Sequence, residues 1–125
     1  MRIWNVCFLT GAVAALVGMG LGIGMGAKHD FMLAPVHAHI NLLGWVSMVL
    51  FGLFYRGAAQ AASRLARMQV TCAACGFPLM TGGLALLLTN RAGAAAEPLI
   101  VVGSLLSLLS MILFTFIVMA NARHE

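Results

Sequence analysis

The sequence carries very little charge. It has seven lysine and arginine residues and three acids among 125 residues, and 62% of the chain is hydrophobic. The basic residues stand in short segments between apolar runs, whereas a nucleic-acid interface needs a basic face or stripe. We therefore expect no nucleic-acid partner, in spite of the net charge of +4.

Acidic residues are the scarcest charged type, and none of them lies inside a long apolar run. Asp30 and Glu97 stand in short loops, and Glu125 stands in the tail. A small multidrug transporter normally couples to protons through a carboxylate within the membrane, so this absence argues against transport. The chain also offers no acid–base pair or nucleophile in a cleft. We predict no catalytic residue and leave open whether the protein is an enzyme.

Cysteine is scarce too. Cys72 and Cys75 form a C-x-x-C pair, and Cys7 is expected at the same end of the fold. We interpret the pair as small, polarizable packing residues. The alternative is a redox or metal pair that Cys7 joins, and it stays open. A thiol oxidase resembling DsbB, which also has four membrane helices, would need its cysteines to meet an oxidising compartment. The cysteines of this chain are expected on the cytoplasmic, reducing side.

Apolar sequence is what the chain has in abundance. A membrane-spanning helix needs about 20 apolar residues, and four uncharged stretches reach that length. The sequence therefore predicts an all-α fold, an integral membrane four-helix bundle that forms one domain over residues 1–125. The predicted spans are residues 3–26, 35–55, 68–90 and 98–120.

The basic residues predict the orientation of this bundle. Five arginines fall at one end, whereas the two basic residues at the other end are each matched by an acid. Because positive loops stay inside, we expect both termini in the cytoplasm and a multi-pass protein of the bacterial inner membrane. The five arginines are Arg2, Arg56, Arg64, Arg67 and Arg123.

Two histidines stand at the outer end of the second predicted span. An ionisable side chain within a membrane is costly, so it marks a candidate functional site. At about 100° per residue, Asn41 and Gly44 share a helix face with His37, whereas His39 points about 160° away toward apolar neighbours. In a regular helix, His37 and His39 therefore cannot bind one ion together.

The first span ends in five glycines at every second position. Gly18, Gly22 and Gly26 follow one strip of the helix, and Gly20 and Gly24 follow another. Strips without side chains let a second helix approach closely in a membrane. Such a strip could also form a flat surface for a planar macrocycle at the depth of His37.

The segment around the histidines resembles a known haem-binding helix. Residues 35–45 read PVHAHINLLGW. This run resembles the start of the second transmembrane helix in subunit I of haem–copper oxidases, especially the cbb-type and nitric oxide reductase branches. It is also similar to the His-Ala-His run of the haem-binding NnrS family. The resemblance covers about twenty residues, from 33 to about 55.

The resemblance implies haem b as cofactor, with His37 as an axial ligand and His39 as a less direct match. It does not extend to an oxidase centre, because the third and fourth spans contain no histidine. A sixth ligand could come from Met25, His29 or Met32, or from His37 of a second copy in a homo-oligomer. Electron transfer, with a respiratory redox partner or a quinone, and binding of O2 or NO both stay open.

Two other functions stay open at this point. The histidines His29, His37 and His39 could hold copper or zinc if the helix start unwinds. The chain could also be a structural or assembly subunit of a respiratory membrane complex. In the latter case the glycine strips would matter more than the histidines.

Overall fold

The computed structural model describes residues 1–58, 63–91 and 93–122, and every regular element in these ranges is helical. This confirms the all-α prediction. Each of the four long helices is long and apolar enough to cross a membrane. They are α1 (Ile3–Lys28), α2 (Ala34–Gly57), α3 (Arg64–Leu88) and α4 (Ala96–Ala122), the last preceded by a 3-10 turn at Gly93–Ala95.

Local backbone chemistry sets the ends of α1 and α3. α1 stops where His29 takes a left-handed conformation with φ of 53°, and the backbone N–H groups of His29 and Asp30 bond back to the last turn. α3 begins at Arg64, four residues before the membrane span that the sequence predicts from residue 68. The Ser63 hydroxyl caps this start, since it accepts a bond from the backbone N–H of Ala66 at 3.1 Å.

The second helix differs from the regular α-helix that the sequence predicts. It is α-helical over Ala34–His39, π-helical over Ile40–Val46 and α-helical again over Ser47–Gly57. At the end of the wide turn, the backbone N–H of Ser47 bonds to the carbonyl of Leu42, and the Ser47 hydroxyl donates to the same oxygen at 2.8 Å. Such π-helical turns are rare and occur frequently at functional sites.

Glycines let the helices pack as two close pairs, α1 with α2 and α3 with α4. In the first pair, a Cβ at Gly52 would lie 2.7 Å from the Phe8 ring. In the second pair, a Cβ at Gly76 would lie 2.9 Å from the backbone nitrogen of Ser107, and one at Gly103 would overlap the backbone nitrogen of Met80. Backbones this close are typical of small-residue contacts between membrane helices.

Aromatic side chains and a buried polar chain join the two pairs near the end of α2. The Phe114 ring of α4 lies 4.7 Å from that of Phe51 and contacts Tyr55 edge-on. The Tyr55 hydroxyl donates to Oε1 of Gln69 at 2.8 Å, and Nε2 of Gln69 donates to the Ser110 hydroxyl at 2.9 Å. All three polar side chains are buried, so this chain of hydrogen bonds ties α2, α3 and α4 together.

Replacing Gln69 by leucine is expected to destabilise the bundle by about 1–3 kcal/mol, because it leaves the Tyr55 and Ser110 hydroxyls buried without their partner. Thr115→Val is the matched control, since the exposed Thr115 hydroxyl bonds only to a carbonyl of its own helix. Titration with SDS in mixed micelles measures the free energy of unfolding of both variants. Equal stability of the two variants would show that the buried hydrogen bonds of Gln69 contribute nothing specific.

Candidate functional site

His37 lies near the start of α2 and reaches across to α1. Its Nδ1 is 2.8 Å from the carbonyl oxygen of Gly18. Because a carbonyl oxygen can only accept, Nδ1 carries the proton and donates this bond. Nε2 is then the nitrogen with a free lone pair, and neutral imidazole of this kind is the form that binds metals. The side chain is half-buried between the two helices.

The glycine strip of α1 makes room for this arrangement. A Cβ at Gly22 would lie 2.9 Å from Cε1 of His37, and a Cβ at Gly18 would lie 2.6 Å from the amide of Asn41. Gly18 therefore supplies both the accepting carbonyl and the space for the neighbouring amide. The strip of Gly18 and Gly22 is thus a packing surface for α2, and it contacts the imidazole of His37 and the amide of Asn41.

Asn41 supports the same corner of the site. Its Nδ2 donates to the backbone carbonyl of His37 at 2.8 Å and lies 3.4 Å from both ring nitrogens. A group equally distant from the two nitrogens lies beside the ring and off the axis of the Nε2 lone pair. Asn41 therefore holds the helix turn and the ring without occupying the metal-binding nitrogen.

His39 has a different environment. Its side chain is exposed, and its Nδ1 lies 2.7 Å from the carbonyl oxygen of Pro35 in the same helix. This agrees with the helix-face geometry, because His37 and His39 leave α2 on different sides. In this structure the two imidazoles bond to carbonyls of different helices, so they do not form a common ion site.

The other predicted site residues make no hydrogen bond to either imidazole. Met25 is buried at 8% exposure, whereas His29 and Met32 are exposed. Gly44 is buried too, but its space is already taken: a Cβ there would lie 2.8 Å from both Ala14 and the Phe77 ring. Gly44 thus serves helix packing, and its neighbours leave no room for a planar ligand at this position.

The second glycine strip lies open. A Cβ at Gly20 or Gly24 would meet no atom within 4 Å. These two positions are about 160° from Gly22 around α1, so they face away from His37. The strip that lies free for contact with another surface is therefore on the far side of α1 from His37.

Sequence reasoning missed two groups, the Gly18 carbonyl at the site and the buried Gln69 near the other end of α2. The Gly18 carbonyl carried no signal of its own, because any backbone carbonyl is an acceptor. Gln69 stood near a predicted loop with other polar residues, and only its position seven residues before Gly76 on one helix could have indicated burial. Within the described ranges, the structure contains no group of three or more His, Cys, Asp or Glu side chains that could hold a metal ion.

The three cysteines are free thiols, with Cys7 buried, Cys72 half-buried and Cys75 exposed.

Comparisons of the chain with protein-family models, with curated proteins and with solved structures find no match.

Proposed function

We propose that the protein is a multi-pass membrane protein that binds haem b through His37. The observation that carries this proposal is the bond from Nδ1 of His37 to the Gly18 carbonyl at 2.8 Å. Histidines that bind metals almost always donate their other ring N–H to such a partner, which sets the tautomer and the ring orientation. The half-buried imidazole between α1 and α2 has this arrangement, and bound haem would supply the redox or gas-binding chemistry.

The apolar surface of the helices supports a membrane location. Even in α2, the most buried of the four helices, only 33% of the most apolar 18-residue stretch is buried within the protein. In α4 the buried share is 17%. Lipid or a partner helix would cover the remaining apolar side chains. The arginine distribution favours cytoplasmic termini in a bacterial inner membrane, so the histidine end of α2 lies toward the outer side.

Whether a second residue would bind the haem iron decides between the two uses of such a haem. An open sixth position suits O2 or NO binding, whereas a filled one suits electron transfer. For a filled site we favour a homo-oligomer that pairs two copies of His37, because a closed symmetric oligomer places the same residue on both sides of a two-fold axis. Electron transfer would then require a respiratory redox partner or a quinone.

Substituting Gly22 by alanine tests the site without removing a ligand. The new Cβ would lie 2.9 Å from the His37 ring, which must move away and weaken its bond to Gly18. Loss of a bond that orients a metal ligand costs roughly 10- to 100-fold in affinity, so we expect haem affinity to fall by at least about tenfold.

Gly20→Ala is the matched control, because its Cβ enters open space on the same helix. Haem titration of the purified variants, followed by absorbance, gives both affinities. Unchanged affinity in Gly22→Ala would contradict a role for His37 in the orientation shown.

A further inference from the structure

A cleft between α1 and α3 takes no part in the proposed haem site. The first residues of α1 line it together with the first residues of α3, and later residues of α1 line it with later residues of α3. The two helices are therefore parallel, and they leave two grooves, one farther along the helices than the other, which together we call the α1–α3 cleft. The volumes of these grooves are about 1000 Å³ at the N-terminal ends of the helices and about 520 Å³ farther along.

The wider groove has a basic mouth. Arg2 and Arg67 line it, together with Thr71, and the Arg2 guanidinium lies 5.0 Å from the centre of the Trp4 ring. Arginine binds phosphate through paired N–H donors, and tryptophan concentrates at membrane interfaces.

Neither acid of the described ranges lies at this end of the bundle. Of the two acids in the described ranges, Asp30 follows the far end of α1, and Glu97 lies in the first turn of α4, next to the far end of α3. The mouth therefore presents positive charge to an anionic group at the membrane surface.

The narrower groove lies farther along the same helices and forms an apolar channel. Val13 and Val17 of α1 line one wall, and Pro78 and Gly82 of α3 line the other. Val36 and Ile40 of α2 complete the lining. At 1.5 Å per residue, Pro78 lies roughly 16 Å along α3 from Arg67 at the mouth. One leaflet contributes half of a hydrocarbon core about 30 Å thick, so an acyl chain that starts at the mouth reaches this channel.

We propose that the α1–α3 cleft binds one anionic diacyl phospholipid, with the phosphodiester at Arg2 and Arg67 and an acyl chain along Val13 and Pro78. The combination of a basic mouth and an apolar channel in one cleft matches the two parts of such a lipid. Basic pockets between helices on the cytoplasmic side are a recognised form of lipid site. The proposal is independent of haem, since the cleft is lined by side chains other than those that position His37.

Native mass spectrometry of the full chain in neutral detergent tests this proposal. The probes are phosphatidylglycerol and phosphatidylcholine with the same acyl chains, and inorganic phosphate. We expect retention of one phosphatidylglycerol in preference to phosphatidylcholine. Each basic residue near an anionic lipid contributes about fivefold, so Arg2→Gln with Arg67→Gln should weaken retention about 25-fold.

Matched variants separate the effect of the two arginines at the mouth from the effect of total charge and from that of the channel. The control pair Arg56→Gln with Arg64→Gln removes the same charge from exposed arginines that do not line the groove, and it should retain the lipid. Gly82→Leu should reduce retention, because it fills the channel at a position where a Cβ meets no atom within 4 Å.

Three results would overturn the proposal. These are equal retention of both lipids, equal loss in the two arginine pairs, and binding of inorganic phosphate as tight as that of phosphatidylglycerol. None of these measurements uses haem, so their failure would leave the proposed role of His37 intact.

Discussion

Replacing His37 by alanine is expected to remove haem from the purified protein, whereas replacing His39 by alanine should leave haem bound. Loss of a bond that orients a metal ligand already costs roughly 10- to 100-fold in affinity, so loss of the ligand itself should cost more than about 100-fold. His39 is exposed and bonds only to a carbonyl of its own helix, so its removal should leave the His37 site unchanged. The pyridine haemochrome absorbance per mole of protein measures the haem content of each variant.

Added imidazole separates loss of the ligand from loss of the fold. If His37→Ala leaves the bundle folded with a gap beside Gly22, free imidazole should restore part of the haem absorbance. The reverse pattern, with haem lost in His39→Ala and kept in His37→Ala, would assign the ligand to the exposed histidine. The His37–Gly18 bond would then be a packing contact between α1 and α2.

Gly103→Ala is expected to have the largest effect on stability. A Cβ at this position would overlap the Met80 backbone nitrogen and lie 2.7 Å from the Gly76 carbonyl oxygen. Backbone atoms cannot move aside as a side chain can, so α3 and α4 would have to separate along their contact. We expect a cost above about 3 kcal/mol, at or beyond the upper end of the usual range for an overpacked core.

Gly82→Ala is the control for this prediction, because it makes the same substitution on α3 with no atom within 4 Å of the new Cβ. It should be neutral, or stabilising by up to about 1 kcal/mol, since alanine has the higher helix propensity. Thermal unfolding in detergent, monitored by circular dichroism, compares the two variants. A Gly103→Ala protein as stable as Gly82→Ala would contradict the close packing of α3 on α4.

Much of the fold follows from the length and composition of the apolar runs. In an apolar surrounding the backbone N–H and C=O groups must hydrogen-bond to one another, and a helix satisfies them within one segment. Four long uncharged stretches therefore indicate four helices. The buried face of α2 was also predictable, because helical periodicity places His37, Asn41 and Met48 on one side. Helix ends were less predictable: the start of α3, which precedes the predicted span, is capped by one hydroxyl, that of Ser63.

The π-helical turn of α2 was not predictable from periodicity. Counting 100° per residue assumes a regular α-helix, whereas Ile40–Val46 form a wider turn whose end is held by Ser47. Gly44 lies in this turn and accommodates Ala14 and Phe77. Its role depends on neighbours that are distant in sequence, which a reading of one helix cannot include.

The sequence was enough to predict His37 as the candidate site residue, but not the contacts that hold its side chain. His37 stands out because an imidazole at the head of an apolar run is unusual. Its partner, the Gly18 carbonyl, becomes identifiable only when α1 and α2 are placed side by side. The two glycine strips show the same limit, since sequence alone gives them equal status, yet Gly18 and Gly22 contact α2 whereas Gly20 and Gly24 face open space.

The most direct test of the haem proposal is the absorbance spectrum of the wild-type protein, purified from cells supplied with haem precursor, in the oxidised and dithionite-reduced states. We predict a Soret band in both states, with sharp α and β bands on reduction if the sixth position is filled. Without a sixth ligand, the reduced protein should show a broad band and should bind carbon monoxide. A protein that has no Soret band, and gains none when haemin is added, would contradict haem binding through His37, and metal analysis of the same sample would then test for copper or zinc.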